Sequence, residues 1–439
     1  MYLSGQAQKK ILELHQKYGP VVRISPDTLS YNHPDAWNEI RGHRKHGAVE
    51  HGKDPVFQFM NRTNIIGANR EDHARFRRVM SHGFSAQAML DQQPIIKSYV
   101  DTLFQKLHQQ ADGVQPVNMV AWFNFTTFDV IGDLAFGEPF GCLDKSTYHP
   151  WIALLFEGIK NMAFAANMRR YPAISNILMR MMPKEIKAKM AQHQELSRQK
   201  VRKRLEMKTD RPDFIESMVK KRGDFELSID EIAGNSAVLI IAGSETTATL
   251  LSAATYYLLT YPDAMVKLTE EVRSAFKSED EIDMISVQKL TYLLAVLDES
   301  LRLYPPVPAG GPRKIAPDGD VILGQYVPGG TIAEIWHWAV YHNPEHFTLP
   351  ESFIPERWLD DPRFANDKKD AFQPFSYGPR NCIGRNLAYA EMRLILARIV
   401  WNFDMQLADD SKDWDKKSRV YILWQKGPLN VYLSPRQAH

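Results

Sequence analysis

A single cysteine dominates the chemistry open to this chain. Cys382 lies in the stretch FSYGPRNCIG, Phe375 to Gly384, directly before the helical pattern Arg385 to Trp401. Gly378 and Gly384 flank it and let the backbone bend tightly and approach a flat ligand. The free amides of a helix start and the neighbouring Arg380 favour a thiolate over a thiol. A thiolate held in that way is a soft, electron-rich metal ligand. Cys142, in an apolar stretch, has no such surroundings and reads as a small apolar core residue. The segment Gly243-Ser244-Glu245-Thr246-Thr247 is also unusual. Glycine inside a helix costs about 1 kcal/mol, and an acid with two threonines is a heavy polar load for a buried stretch. A small-residue packing groove or a polar kink would explain it without chemistry. Glu299 and Arg302 are i,i+3 on one helix; alone, such a pair means a solvated ion pair contributing less than ~1 kcal/mol.

These residues need elements to hold them. The chain has 439 residues, 44% of them hydrophobic, which is enough for a sizeable core and excludes an intrinsically disordered chain. Two cysteines allow at most one bridge, so a disulfide-stapled scaffold is excluded. With 54 basic and 52 acidic residues there is no electrostatic footprint for nucleic acid. The longest strongly apolar run, Ala237 to Gly243, falls short of the roughly 20 residues that span a bilayer. The start Met1-Tyr2-Leu3-Ser4-Gly5 leads into a polar helical pattern with Lys9 and Lys10, without a signal peptide. As given, the chain reads as soluble.

Most of the sequence carries helical period, and no repeat or long linker divides it, so one unit over residues 1–439 is expected. Short strand signals lie at Val21 to Ile24, in Val321 to Ile335, and at Val420 to Leu433. Pairing among these distant segments would close one small sheet beside a large helical body. A capping box, Ser228 with Glu231, opens a helix predicted to run to Thr260, about 45–50 Å at ~1.5 Å per residue. A helix so long and so apolar must cross the middle of the molecule. A second helix is predicted from Ser286 to Tyr304, ended by Pro305-Pro306. The Met- and aromatic-rich segment Trp151 to Met190, interrupted by Tyr171-Pro172, reads as core packing with adaptable side chains.

FSYGPRNCIG resembles the haem-binding loop of cytochromes P450, Phe-x-x-Gly-x-Arg-x-Cys-x-Gly, with Phe375, Gly378, Arg380, Cys382 and Gly384 at every fixed position. Further family features follow in the family's order across nearly the whole chain. Glu299-Ser300-Leu301-Arg302 matches the Glu-x-x-Arg pair, and Pro355-Glu356-Arg357-Trp358 the segment supplying its second arginine. Ala242-Gly243-Ser244-Glu245-Thr246-Thr247 matches the oxygen-activation stretch, and NREDHARFRRVMSHGFS, Asn69 to Ser85, resembles the helix that reaches the haem propionates, particularly in fungal members. The family often has Trp where His73 stands; imidazole can still donate to a propionate.

The resemblance implies a mainly α fold with a small β-rich lobe, and haem b (iron protoporphyrin IX) between the long central helix and the cysteine loop. Cys382 would be the axial ligand of the iron. His73 and Arg77, i,i+4 on one helix face, would reach the propionates together, with Arg313 and Arg380 from the other side. Glu299, Arg302 and Arg357 would form a buried network that fixes the loop. Gly243 would leave room for dioxygen, Thr246 would hydrogen-bond it, and Glu245 would relay protons inward.

The resemblance also implies a substrate pocket lined by Phe57, Met60, Ile66, Met162, Leu239, Ala242, Val307, Ala309 and Ile422. That lining is mostly apolar, so the substrate is a lipophilic small molecule. In fungal relatives such enzymes commonly serve secondary metabolism. Electrons would come from NADPH–cytochrome P450 reductase, docked on a basic face of Arg70, Arg75, Arg78 and Arg385. Full-length relatives are tethered to the endoplasmic reticulum on its cytosolic face by an amino-terminal helix, and this chain begins where that tether would end. Oxygen-dependent hydroxylation is the leading expectation. Oxidative aromatic coupling, peroxide rearrangement without a reductase, and a haem-binding protein without catalysis are the alternatives; the Glu245-Thr246 pair argues against peroxide rearrangement.

Overall fold

The computed structural model describes residues 2–44, 48–57, 62–171, 173, 175–177, 184–207, 211–219 and 226–436. The central helix runs Ile229–Thr260. At its start the Glu231 amide donates to Ser228 Oγ and the Ser228 amide to the Glu231 carboxylate, the reciprocal cap the sequence predicts. Tyr261 leaves the helical region and Pro262 opens the next helix, Pro262–Ala275. By length and hydropathy the central helix could cross a membrane, yet 72% of its apolar window is buried inside the protein. It packs along the helix Met119–Phe136, whose side chains are buried almost all round. That close contact explains Gly243: a Cβ there would meet Ile131 Cδ1 at 2.8 Å. The glycine therefore lets the two helices approach, as the packing-groove reading of the segment expects.

The second predicted helix is two elements. A 3-10 turn covers Ser286–Lys289, Leu290 is extended, and the α-helix is Thr291–Leu303. The break has a tertiary cause. Glu271, on the helix Pro262–Ala275, accepts from the Tyr292 and Leu293 amides at 2.7 and 2.8 Å. A borrowed carboxylate caps the helix where no local residue does. Tyr304 and the two prolines end it as predicted.

The strands divide differently from the expectation. The five-stranded sheet has the order Val21–Ser25, Thr28–Tyr31, Ile332–Ile335, Arg313–Lys314, Gly52–Lys53, with Thr28–Tyr31 parallel to Ile332–Ile335. The last strand, Asn430–Pro435, instead pairs with Pro116–Asn118 and Phe403–Leu407 in a separate sheet. First and last segments thus do not close one sheet; near the chain ends the Val420 amide donates to the Gly5 carbonyl at 2.9 Å and the Arg419 guanidinium to the Ser4 carbonyl at 3.0 Å. In the Met-rich segment the helix Pro150–Met168 stops before Tyr171, and Pro172 lies outside the described residues.

The charged network that supports the cysteine loop is fully buried: Glu299 and Arg302 are 0% exposed and Arg357 1%. Arg302 donates to both Glu299 oxygens at 2.8 and 2.9 Å, and Arg357 Nε to Oε1 at 3.0 Å. The Trp358 indole and the Ile354 amide complete the carboxylate's shell, each at 3.0 Å. Asp367, which sequence pattern did not single out, takes the other end of Arg357. Arg302 also donates to the Tyr341 carbonyl at 3.0 Å, and the Tyr341 hydroxyl accepts the Gln373 amide at 2.9 Å. Gln373 lies two residues from Phe375, so the network reaches the loop through one tyrosine. Removing one member of a buried charged set strands its partners. Arg357→Ala should destabilise the fold by about 3–5 kcal/mol and yield haem-poor protein. Urea unfolding and the haem-to-protein ratio check this, and wild-type values for both would contradict it.

Candidate active site

The loop is shaped before any ligand is considered. The Cys382 amide donates to the Phe375 carbonyl at 2.8 Å and the Asn381 amide to the Gly378 carbonyl at 3.1 Å. Gly378 has φ +77°, and a Cβ there would lie 1.8 Å from the Arg41 carbonyl oxygen. Both backbone conformation and contact therefore demand glycine. At Gly384 a Cβ would meet only ordinary contacts, Phe84 and the Cys382 sulfur, at 3.8 and 3.9 Å.

Cys382 is surrounded by neighbouring residues yet open to a solvent-sized probe, and Ala242 is exposed in the middle of the central helix. Ile240 and Ala248 on the same helix are 0% exposed. The central helix packs on the helix Arg385–Asn402 that follows Cys382, so these openings mark a hollow inside the protein. Burial pushes the Cys382 thiol above its ordinary pKa, opposed by the Gly384 amide, Arg77 and Arg385. Arg380 is not among those cations, which corrects the expectation drawn from its position in the loop. It donates instead to Glu50 and to the Ala68 carbonyl. A coordinated metal would ionise the thiol outright, since metal ligation displaces the proton.

Beside the hollow, positive groups crowd one another. Burial and Arg380 bring Arg313 down to about 10; burial, Arg380 and Lys53 bring His73 down to about 3. Burial, Arg380 and Arg313 bring Lys53 down to about 7, and burial with Arg313 brings Arg41 to about 9. Of the acids, Glu50 is the one that meets Arg380 here. Such a donor set suits the two carboxylates of a haem, with His73 neutral and able to donate N–H. The residues present therefore fit the group. Arg77 has a different partner: it donates to the Asn381 carbonyl at 2.6 Å and to its side-chain oxygen, gripping the residue before Cys382. Sequence reasoning found His73, Arg313 and Arg380 but missed Lys53, Glu50 and Arg41, which lie in no patterned segment.

The side chains of Thr246 and Glu245 bond different partners. Thr246 Oγ1 donates back to the Ala242 carbonyl at 2.7 Å. Glu245 is 3% exposed and bonds Lys426 and Thr249. Of the expected pocket residues, Ala242 and Ile66 are exposed, and Met162, Val307, Ala309 and Ile422 half-buried. Leu239 is buried in the main core. Met60 and the side chain of Phe57 lie outside the described residues. On the expected docking face Arg75 is tied to Glu231 and to Asp72, so its charge is neutralised locally. Arg70, Arg78 and Arg385 are exposed.

Lys53 gives a pH test. Between a folded pKa of about 7 and an unfolded value of ~10.4, the unfolded chain binds more protons. Stability of the haem-free protein should therefore rise with pH across that window. Lys53→Met should flatten the rise in urea melts at stepped pH. Loading haem into the wild type, which sets carboxylates beside the ammonium, should flatten it as well. An unchanged slope in the variant would show that Lys53 titrates normally.

The sequence model of the family described as Cytochrome P450 matches residues 2–433. A trichothecene C-15 hydroxylase of Fusarium sporotrichioides is 55% identical over 99% of this chain and 89% of its own length. The cytochrome P450 monooxygenase astJ of Aspergillus oryzae is 46% identical over 99% of this chain and 88% of its own. The corresponding figures for astA of Talaromyces wortmannii are 46%, 96% and 86%. Matches of that length and identity leave one family: the chain is a cytochrome P450, a monooxygenase of the kind that carries haem b on a cysteine thiolate.

Proposed function

We propose that Cys382 is the axial ligand and that His73, Arg313 and Arg380 receive the propionates, with Lys53 beside them. Arg77 braces the loop through Asn381. In this reading the 439 residues act as one catalytic unit that hydroxylates a lipophilic small molecule of a fungal secondary-metabolite pathway. Electrons come from NADPH through a cytochrome P450 reductase on the face of Arg70, Arg78 and Arg385. The full-length protein works at the cytosolic face of the endoplasmic reticulum membrane. The observation that carries the reading is the buried cation cluster, 7% exposed at both His73 and Arg313, beside an open cysteine.

When bound, the haem supplies oxygen activation, and its thiolate ligand favours O–O cleavage. The chain's own residues then govern protons and orientation. Thr246 donates its hydroxyl hydrogen bond to the Ala242 carbonyl, which leaves its oxygen free to accept a hydrogen bond from a group in the hollow. Glu245 is the nearest acid along the helix, and its transfer of a proton toward that position is general acid catalysis. Ala242, Val307, Ala309 and Ile422 give an apolar wall that orients substrate by shape and excludes water.

The 55% identical relative is named for hydroxylation of a trichothecene at C-15. A trichothecene lacking that hydroxyl is therefore the first ligand to test for a spin-state change. With reductase and a ligand that gives one, Thr246→Ala should keep consuming NADPH while product falls about 100-fold and peroxide appears. Product per NADPH equal to wild type would remove Thr246 from the mechanism. Cys382→Ala should lose the haem Soret band and the carbon monoxide difference spectrum of the reduced protein; full retention of both would overturn the assignment.

A further inference from the structure

One buried ion pair ties the acid of the scheme above to a cation that the scheme does not use. Lys426 Nζ bonds Glu245 Oε1, and each side chain is only 4% exposed. Thr249 Oγ1 donates to the same oxygen at 3.4 Å, while Oε2 is buried without a hydrogen-bond partner. Burying such a pair typically costs as much in lost hydration as attraction returns, so stability alone gives no reason to keep it. The tyrosines that face Glu245 cannot replace the cation. Burial holds the Tyr148 hydroxyl up at about 12 and the Tyr304 hydroxyl well above its usual value, so both are neutral. Asn124, 2% exposed, donates to Tyr148 at 3.2 Å and leaves its own Oδ1 unpartnered.

Lys426 is also held from behind. The preceding Trp424 donates its indole N–H to the Pro305 carbonyl at 2.8 Å and stacks on Tyr304 at 4.1 Å between ring centres. The ammonium thus comes from a fixed support outside the central helix. It draws one carboxylate oxygen to itself, and Thr246 is not among the partners of Glu245.

We propose that Lys426 is a positioning residue that restrains Glu245, holding back proton delivery in the substrate-free enzyme. The proposal rests on the reading of Glu245 as the proton donor. Without substrate, each unproductive turnover moves two electrons from NADPH to O2 and, with one solvent proton, gives NADP+ and hydrogen peroxide. Releasing the carboxylate should speed that leak. Lys426→Met leaves a buried carboxylate with no cation, which takes up a proton.

The test uses resting holoprotein and reductase, with no added ligand. Infrared spectra of Lys426→Met should show a carboxylic-acid C=O band that Lys426→Met/Glu245→Gln lacks. Substrate-free NADPH oxidation should rise severalfold in Lys426→Met and stay near wild type in Lys426→Arg. No new band, or a rate at or below wild type with haem content intact, overturns the role of Lys426. If Glu245→Gln does not slow substrate-free oxidation, the reading of Glu245 is what fails. The double variant, which removes both charges, keeps the test open: should Lys426→Met not fold while the double variant does, Lys426→Gln replaces it in both measurements.

Discussion

Burial of several cations beside one another is the constraint on which this architecture turns. Lys53, His73, Arg313, Arg380 and Arg41 come from well-separated parts of the chain and meet inside the protein, with Glu50 as the acid on Arg380. Burial and mutual repulsion lower the pKa of four of these groups, so the polypeptide alone holds that region against an electrostatic cost. In the proposed reading, a ligand carrying carboxylates at one edge would remove the cost and link the sheet, the helix Arg70–Met80 and the cysteine loop in one step. On that reading, folding and cofactor uptake would be coupled through charge as well as through the iron–sulfur bond.

The second support is also electrostatic but closed on itself. Glu299, Arg302, Arg357 and Asp367 satisfy one another and several backbone carbonyls without exposure to water. Its hydrogen bonds pass through Tyr341 to Gln373 and so to the base of the loop. One set of charges is thus complete within the chain, while the other, in the proposed reading, awaits the cofactor's carboxylates. That division separates what holds the loop from what fills the hollow.

Local signals were legible in the sequence wherever the physics is local. The capping box at Ser228, the proline stop after Tyr304, and the glycine-bounded cysteine loop all appear where the residues indicate. Long-range placement was less legible. Asp367, Lys53 and Lys426 are ordinary charged residues until the fold brings them beside Arg357, Arg313 and Glu245. Gly243 fits a packing groove on sequence alone, but that Ile131 is what packs against it is visible only in the fold. The terminal strands misled because β pairing is set by partners far along the chain.

The carboxylate lent by Glu271 has a wider effect than ending a helix neatly. An α-helix turns about 100° with each residue, from ~3.6 residues per turn. By fixing which amides come first, Glu271 sets the rotational phase of Thr291–Leu303. A slip of one position would swing Glu299 and Arg302 off the axis on which Arg357 and the Tyr341 carbonyl wait for them. A residue on the neighbouring helix thus acts as the index mark that keeps the helix in step with its partners.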